Sequence, residues 1–215
     1  MENPSLPPYW QDYIHSLKNA TNKHPDQIRY VVLDTETTGF NLRKDRILSI
    51  GALVLQNKEI KVNEAVELFI DQETFDASTV KIHGILKNGK AKRITEIEGL
   101  KRLLKLLEGS VLVAHHAFFD IGMINEALNR NGLPDLKNKS IDTALLYKKL
   151  APKSEQTRKR YTLDFLADTF KISKADRHTA LGDAYITALA FLRITNRIKP
   201  KHFKDLESKK RFIWF

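Results

Sequence analysis

"VVLDTETTGF", residues 31–40, decides how the rest of the chain is read. Val31, Val32 and Leu33 make the apolar start of a buried strand, and two carboxylates, Asp34 and Glu36, follow two positions apart. Side chains alternate across a strand, so Val32, Asp34 and Glu36 share one face and Val31, Leu33 and Thr35 the other. Two adjacent charges at the end of a buried strand repel unless they are protonated, paired or bridged by a cation. A strand end fraying into water would also tolerate them, and the pair alone leaves both readings open. In open α/β sheets, ligands gather in the crevice beyond the carboxyl ends of strands. Oxygen-only ligand sets suit hard divalent ions such as Mg2+ or Mn2+.

Working outward, "RILSIGALVLQ" and "VNEAVELFID" read as two further strands, close enough in sequence for an antiparallel meander. "ITEIEGLKRLLKLLEG" reads as an amphipathic helix closed by Gly109. "SVLVAHH" is a strand, "FFDIGMINEALNRNG" a helix ended by Asn131-Gly132, and "SIDTALLYKKL" a strand end turning helical. "YTLDFLADTF" and "LGDAYITALAFLRITNRI" are helices. Strands first and then alternating elements predict an α/β fold, with helices covering a mixed five-stranded sheet. Residues 1–28 read as an N-terminal extension with a short helix carrying Trp10, Ile14 and Leu17 on one stripe. Residues 29–198 form the main domain, and 199–215 a basic and aromatic tail.

Two more segments repeat the logic of the first. In "VLVAHHAFFD", residues 111–120, an apolar strand is followed by a loop and then by Asp120 in the first helical turn. Alone, Asp120 reads as a helix cap or dipole partner, and His115 and His116 are open to a structural or a catalytic reading. In "HTALGDAYITALAFL", residues 178–192, His178 lies before a helix and Asp183 in its first turn, on a stripe with Thr187 and Ala190. A lone carboxylate on that small, apolar stripe needs a partner.

The chain has 36 Lys and Arg against 26 Asp and Glu, a formal charge of +10, which points to a polyanion and to nucleic acid first. It has no cysteine, so thiol catalysis, disulfides and zinc–thiolate sites are excluded. No apolar run approaches the ~18 residues of a membrane span, and no glycine-rich phosphate loop is present, which disfavours a kinase or nucleotide switch. A cytoplasmic location is the expectation.

"DTETTG", "HHAFFD" and "HTALGDA" together resemble the three motifs of the DEDDh 3′–5′ exonucleases, and by pattern the proofreading epsilon subunits of bacterial DNA polymerase III. "KIHGIL", residues 81–86, is similar to a His-Gly-Ile segment of that family. The resemblance covers roughly residues 29–195. It implies a ribonuclease H-like fold, with Asp34, Glu36, Asp120 and Asp183 as ligands of two divalent ions and His178 as general base. It also implies that Thr35, His83 and Phe119 hold the terminal nucleotide. Phe40, after the Thr-Gly turn, is a further candidate for stacking on a base. Two departures are His116, where the family often has Asn, and Phe118, where the family often has a small residue or Pro before the Phe; both bear on substrate preference. The expected partners are single-stranded 3′ ends, DNA ahead of RNA, and a DNA polymerase subunit. An RNA-trimming exonuclease and a polymerase-accessory binding module are the alternatives.

Overall fold

The computed structural model describes residues 6–73, 80, 84–85, 91–154 and 160–207. Its sheet is built around β1 (Tyr30–Thr37), which pairs antiparallel with β2 (Ile47–Gln56). β2 in turn pairs antiparallel with β3 (Glu59–Ile70), completing the expected meander. On the other side of β1 run β5 (Val111–Ala114) and β6 (Ser140–Asp142), both parallel. Among the described residues the expected five strands become six, in the order β4-β3-β2-β1-β5-β6. The extra one, β4 (Arg93–Ile94), is two residues long and runs parallel to the end of β3. Two residues are too few to show alternation, so the sequence merges them with the helix that follows. That helix starts after Thr95, whose side chain accepts a hydrogen bond from the Glu98 N–H.

Among the described residues the α-helices bounded at both ends are α1 (Pro8–Ser16), α2 (Glu96–Leu107), α3 (Phe118–Arg130), α4 (Thr143–Lys148), α5 (Leu163–Phe170) and α6 (Ala180–Ile198). The alternation of β1 sorts them into two layers. Val31 and Leu33 pack with Trp10, Leu103, Leu107 and Ile124 under α1, α2 and α3. Tyr30 and Val32 pack with Tyr147, Leu166, Phe191 and Ile194 under α4, α5 and α6. Phe203 and Leu206 are buried in that second layer, so the described part of the tail lies on the domain. Among the described residues, no helix is long and apolar enough to cross a membrane.

Two features set the carboxyl end of β1 apart from the rest of the sheet. β5 stops at Ala114, whereas β1 continues to Thr37, so among the described residues no strand pairs with the last half of β1 on that side. Opposite Glu36 the β1–β2 register slips, Glu36 facing Ser49 but Thr37 facing Ile47. Such a bulge bends the strand and re-aims the side chains beside it.

Candidate active site

The parity that puts Val32 under α6 continues along β1, and Asp34 and Glu36 emerge on the same face. Asp34 lies opposite Gly51 in β2. A Cβ on Gly51 would fall 2.1 Å from the carbonyl carbon of Ala180 and from the Leu181 nitrogen. The first turn of α6 therefore rests directly on the β2 backbone, which only glycine permits. The Thr179 hydroxyl accepts from the Gly182 N–H at 3.1 Å, fixing the start of the helix. Asp183 in that first turn is buried. One oxygen each of Asp34, Glu36 and Asp183 can be chosen so that all lie within 4.8 Å of one another.

Asp120 arrives from the other face. It sits in the first turn of α3, and its Oδ1 accepts from the Thr35 N–H at 2.9 Å and from the Thr35 hydroxyl at 2.8 Å. Thr35 points away from Asp34 and Glu36, as alternation requires, and so reaches α3. The structure thus groups three of the four expected carboxylates tightly and holds the fourth beside them. The loop before α3 is tied down by Asp142, which accepts from the Ala117 N–H and from Ala144 and Leu145 at the start of α4.

Burial and mutual repulsion set the charges. Burial raises the Asp34 carboxyl well above its ordinary range, and the charges of Asp120, Asp183 and Glu36 push it further. Glu36 is raised to about 8, by burial and then by Asp183. Asp120 is raised to about 7 by burial, against the two bonds from Thr35. The Arg177 guanidinium opposes the rise at both Asp34 and Glu36. All-oxygen donors, crowded and wanting positive charge, fit hard divalent ions.

A pH dependence follows. Glu36 goes from 4.5 unfolded to about 8 folded, so between those values the folded chain binds more protons than the unfolded one. Its contribution therefore favours the fold in acid and is lost as the pH rises from about 4.5 to about 8. In chelator, the melting temperature of the wild type is expected to fall more steeply over that window than that of Glu36→Gln. Parallel profiles would show that Glu36 carries no such strain.

His178 is exposed, directly before α6, with its backbone in the left-handed region at φ +67° and its N–H on Asp183 Oδ1 at 3.3 Å. Phe40 is 83% exposed, and its ring lies 5.8 Å from that of the half-buried Phe119. Thr35, expected at the substrate, spends both its donors on Asp120. His83 lies outside the described residues. His115 is a packed structural histidine, its Nδ1 2.9 Å from the Thr143 hydroxyl, with burial lowering its pKa to about 3.

Three further groups shape the site without standing out in the sequence. Gly51 carried a signal, since glycine inside an apolar strand marks a close backbone approach. Asp142, before "TALL", had the position of a helix cap. Arg177 pairs with Asp183 and, through Nε at 2.8 Å and Nη2 at 3.2 Å, with Asp164. Nothing but its place beside His178 pointed to it.

In sequence, the chain is 33% identical over 178 residues to a DNA polymerase III PolC-type of Caldanaerobacter subterraneus subsp. tengcongensis, covering 82% of this chain and 12% of that protein. It is 34% identical over 183 residues to a DNA polymerase III subunit epsilon-like protein of Rhodobacter capsulatus, covering 82% of this chain and 25% of that one. The chain thus spans a small part of the curated relatives' length. In structure, it matches E. coli exonuclease I in complex with a dT13 oligonucleotide at a TM-score of 0.69 and 18% identity, over 80% of this chain and 42% of that one. It matches exonuclease X in complex with 5′ overhanging duplex DNA at 0.61 and 23%, over 82% and 97%. These likenesses bear out the ribonuclease H-like fold. The RNase_T family model, described as Exonuclease, matches residues 31–191, a span that takes in Asp34, Glu36, Asp120 and Asp183. On that match the chain belongs to the RNase_T family of exonucleases.

Proposed function

We propose that the protein is a divalent-metal-dependent 3′–5′ exonuclease that releases nucleoside monophosphates from DNA ends, in proofreading or repair. The observation that carries this reading is the meeting of Asp34, Glu36 and Asp183 within 4.8 Å beyond the end of β5, with Asp120 held beside them. Asp34, Glu36, Asp120 and Asp183 would hold two ions. Bound there, the ions would supply positive charge to the attacking and leaving oxygens of a phosphodiester. Thr35 fixes one Asp120 oxygen with two donors. His178, exposed at the lip, would take the proton of the attacking water; an imidazole suits general-base work near neutral pH.

Phe40 and Phe119 offer faces on which a terminal base can stack without regard to sequence. The surplus of +10 supplies attraction to phosphates. DNA is preferred because the relatives are named as DNA polymerase III proteins, and association with a polymerase subunit is proposed on the same ground.

The test uses 5′-labelled single-stranded DNA and RNA of one sequence, with Mg2+, with Mn2+ and with chelator. A ladder shortening from the 3′ end, metal-dependent and faster on DNA, is expected. A faster ladder on RNA would reassign the substrate. No cleavage under any condition would remove the enzymatic reading and leave a binding module.

A further inference from the structure

Each oxygen of Asp183 already accepts a hydrogen bond. Arg177 Nη1 donates to Oδ2, and the His178 N–H donates to Oδ1 at 3.3 Å. The two donors are consecutive residues of the segment that leads into α6. The rest of the guanidinium forks onto Asp164 in the first turn of α5, Nε to Oδ1 at 2.8 Å and Nη2 to Oδ2 at 3.2 Å. Arg177 therefore bridges a buried carboxylate, 9% exposed at Asp183, and an open one, 49% exposed at Asp164.

A divalent ion and a guanidinium drawn to one carboxylate repel each other at short range. Arg177 has a second partner in place, and the Nε–Nη2 fork on Asp164 survives if Nη1 lets go. The neighbouring His178 holds a left-handed backbone, uncommon outside glycine, with its N–H bonded to the same Asp183. A change in what Asp183 binds is thus felt first at the residue expected to handle the proton.

We propose that Arg177 is a displaceable counter-ion: it competes with divalent metal for Asp183, is driven wholly onto Asp164 when metal binds, and in moving resets the segment that carries His178. This rests on the metal-dependent reading above. Arg177 acts as a positioning residue, and Asp164 acts only through it. A simple pin holding the loop to α5 would leave metal affinity unchanged.

The test is Mn2+ binding to chelator-stripped protein, followed by the loss of the free-ion EPR signal, without nucleic acid. Arg177→Gln is expected to bind Mn2+ at least about fivefold tighter than wild type. Asp164→Asn, which leaves the guanidinium only Asp183, is expected to bind it about fivefold more weakly. The double variant should match Arg177→Gln alone, whereas simple charge counting predicts additive effects. Arg177→Lys keeps the charge without the fork; it should fall between wild type and Arg177→Gln, and it serves if the glutamine variant does not fold. With Mg2+, the His178 amide resonance, bonded to Asp183, should shift in both proteins, and further in the wild type, where Arg177 moves as well. Equal affinities or an additive double variant would overturn the competition and leave the metal site standing. Wild-type protein that takes up no Mn2+ would overturn both.

Discussion

Asp34→Asn is expected to lose turnover by about a thousandfold or more while its melting temperature in chelator at pH 8 rises. The two changes have one cause. Asp34 stands among Asp120, Asp183 and Glu36, and its carboxyl is pushed up by burial and by all three. Removing that charge relieves repulsion in the folded chain, and asparagine keeps the shape. The same removal takes a ligand from the proposed ions, whose stabilisation of transition-state charge is worth several kcal/mol, at about 1.4 kcal/mol per tenfold in rate. Groups kept for function at a cost in stability show this opposition. Single-turnover cleavage of labelled DNA and a thermal melt, on one preparation, measure both. A variant that cleaves at more than a few per cent of the wild-type rate would remove Asp34 from the ligand set. One that melts well below wild type would make Asp34 a structural residue.

What the sequence reveals here is whatever depends on periodicity. The alternation of β1 places Asp34 and Glu36 together and Thr35 opposite, and α6 carries Asp183 in its first turn. The three-strand meander and most helices were legible in the same way. Contacts between elements far apart in sequence were not. That Thr35 would hold Asp120, across 85 residues, follows only once α3 is seen packed on the face of β1 that carries Val31 and Leu33. Either residue alone looks like an ordinary polar group at a strand or helix end. Arg177 is harder still: its two partners lie on α5 and α6, and only their packing turns a surface arginine into a bridge. β4 escaped because two residues carry no period. Phe40 was legible as a candidate, since an aromatic after a Thr-Gly turn has little core to enter, and it stands 83% exposed.

Gly51→Ala is expected to cost about 1–3 kcal/mol of stability and roughly a hundredfold in activity, although it adds one methyl to a residue that bears no chemistry. Its Cβ would lie 2.1 Å from the Ala180 carbonyl carbon and the Leu181 nitrogen, and 2.3 Å from the Ala180 oxygen. These are backbone atoms and cannot rotate aside as a side chain would. Either α6 lifts off the sheet by more than about 1 Å to reach ordinary contact distance, or β2 is pressed outward against β3. α6 is the freer to move, because β2 is hydrogen-bonded on both edges, to β1 and to β3. A lifted α6 carries Asp183 away from Asp34, which Gly51 faces directly across the ladder. The ligand set opens by the same distance, and displacement on that scale at a reacting centre costs about two powers of ten. Mn2+ affinity should fall in step with activity, which separates a widened site from a general loss of fold. Urea unfolding gives the stability change independently. Gly51→Ala with wild-type metal affinity and turnover would show that the seat of α6 on β2 does not set the spacing of Asp34 and Asp183.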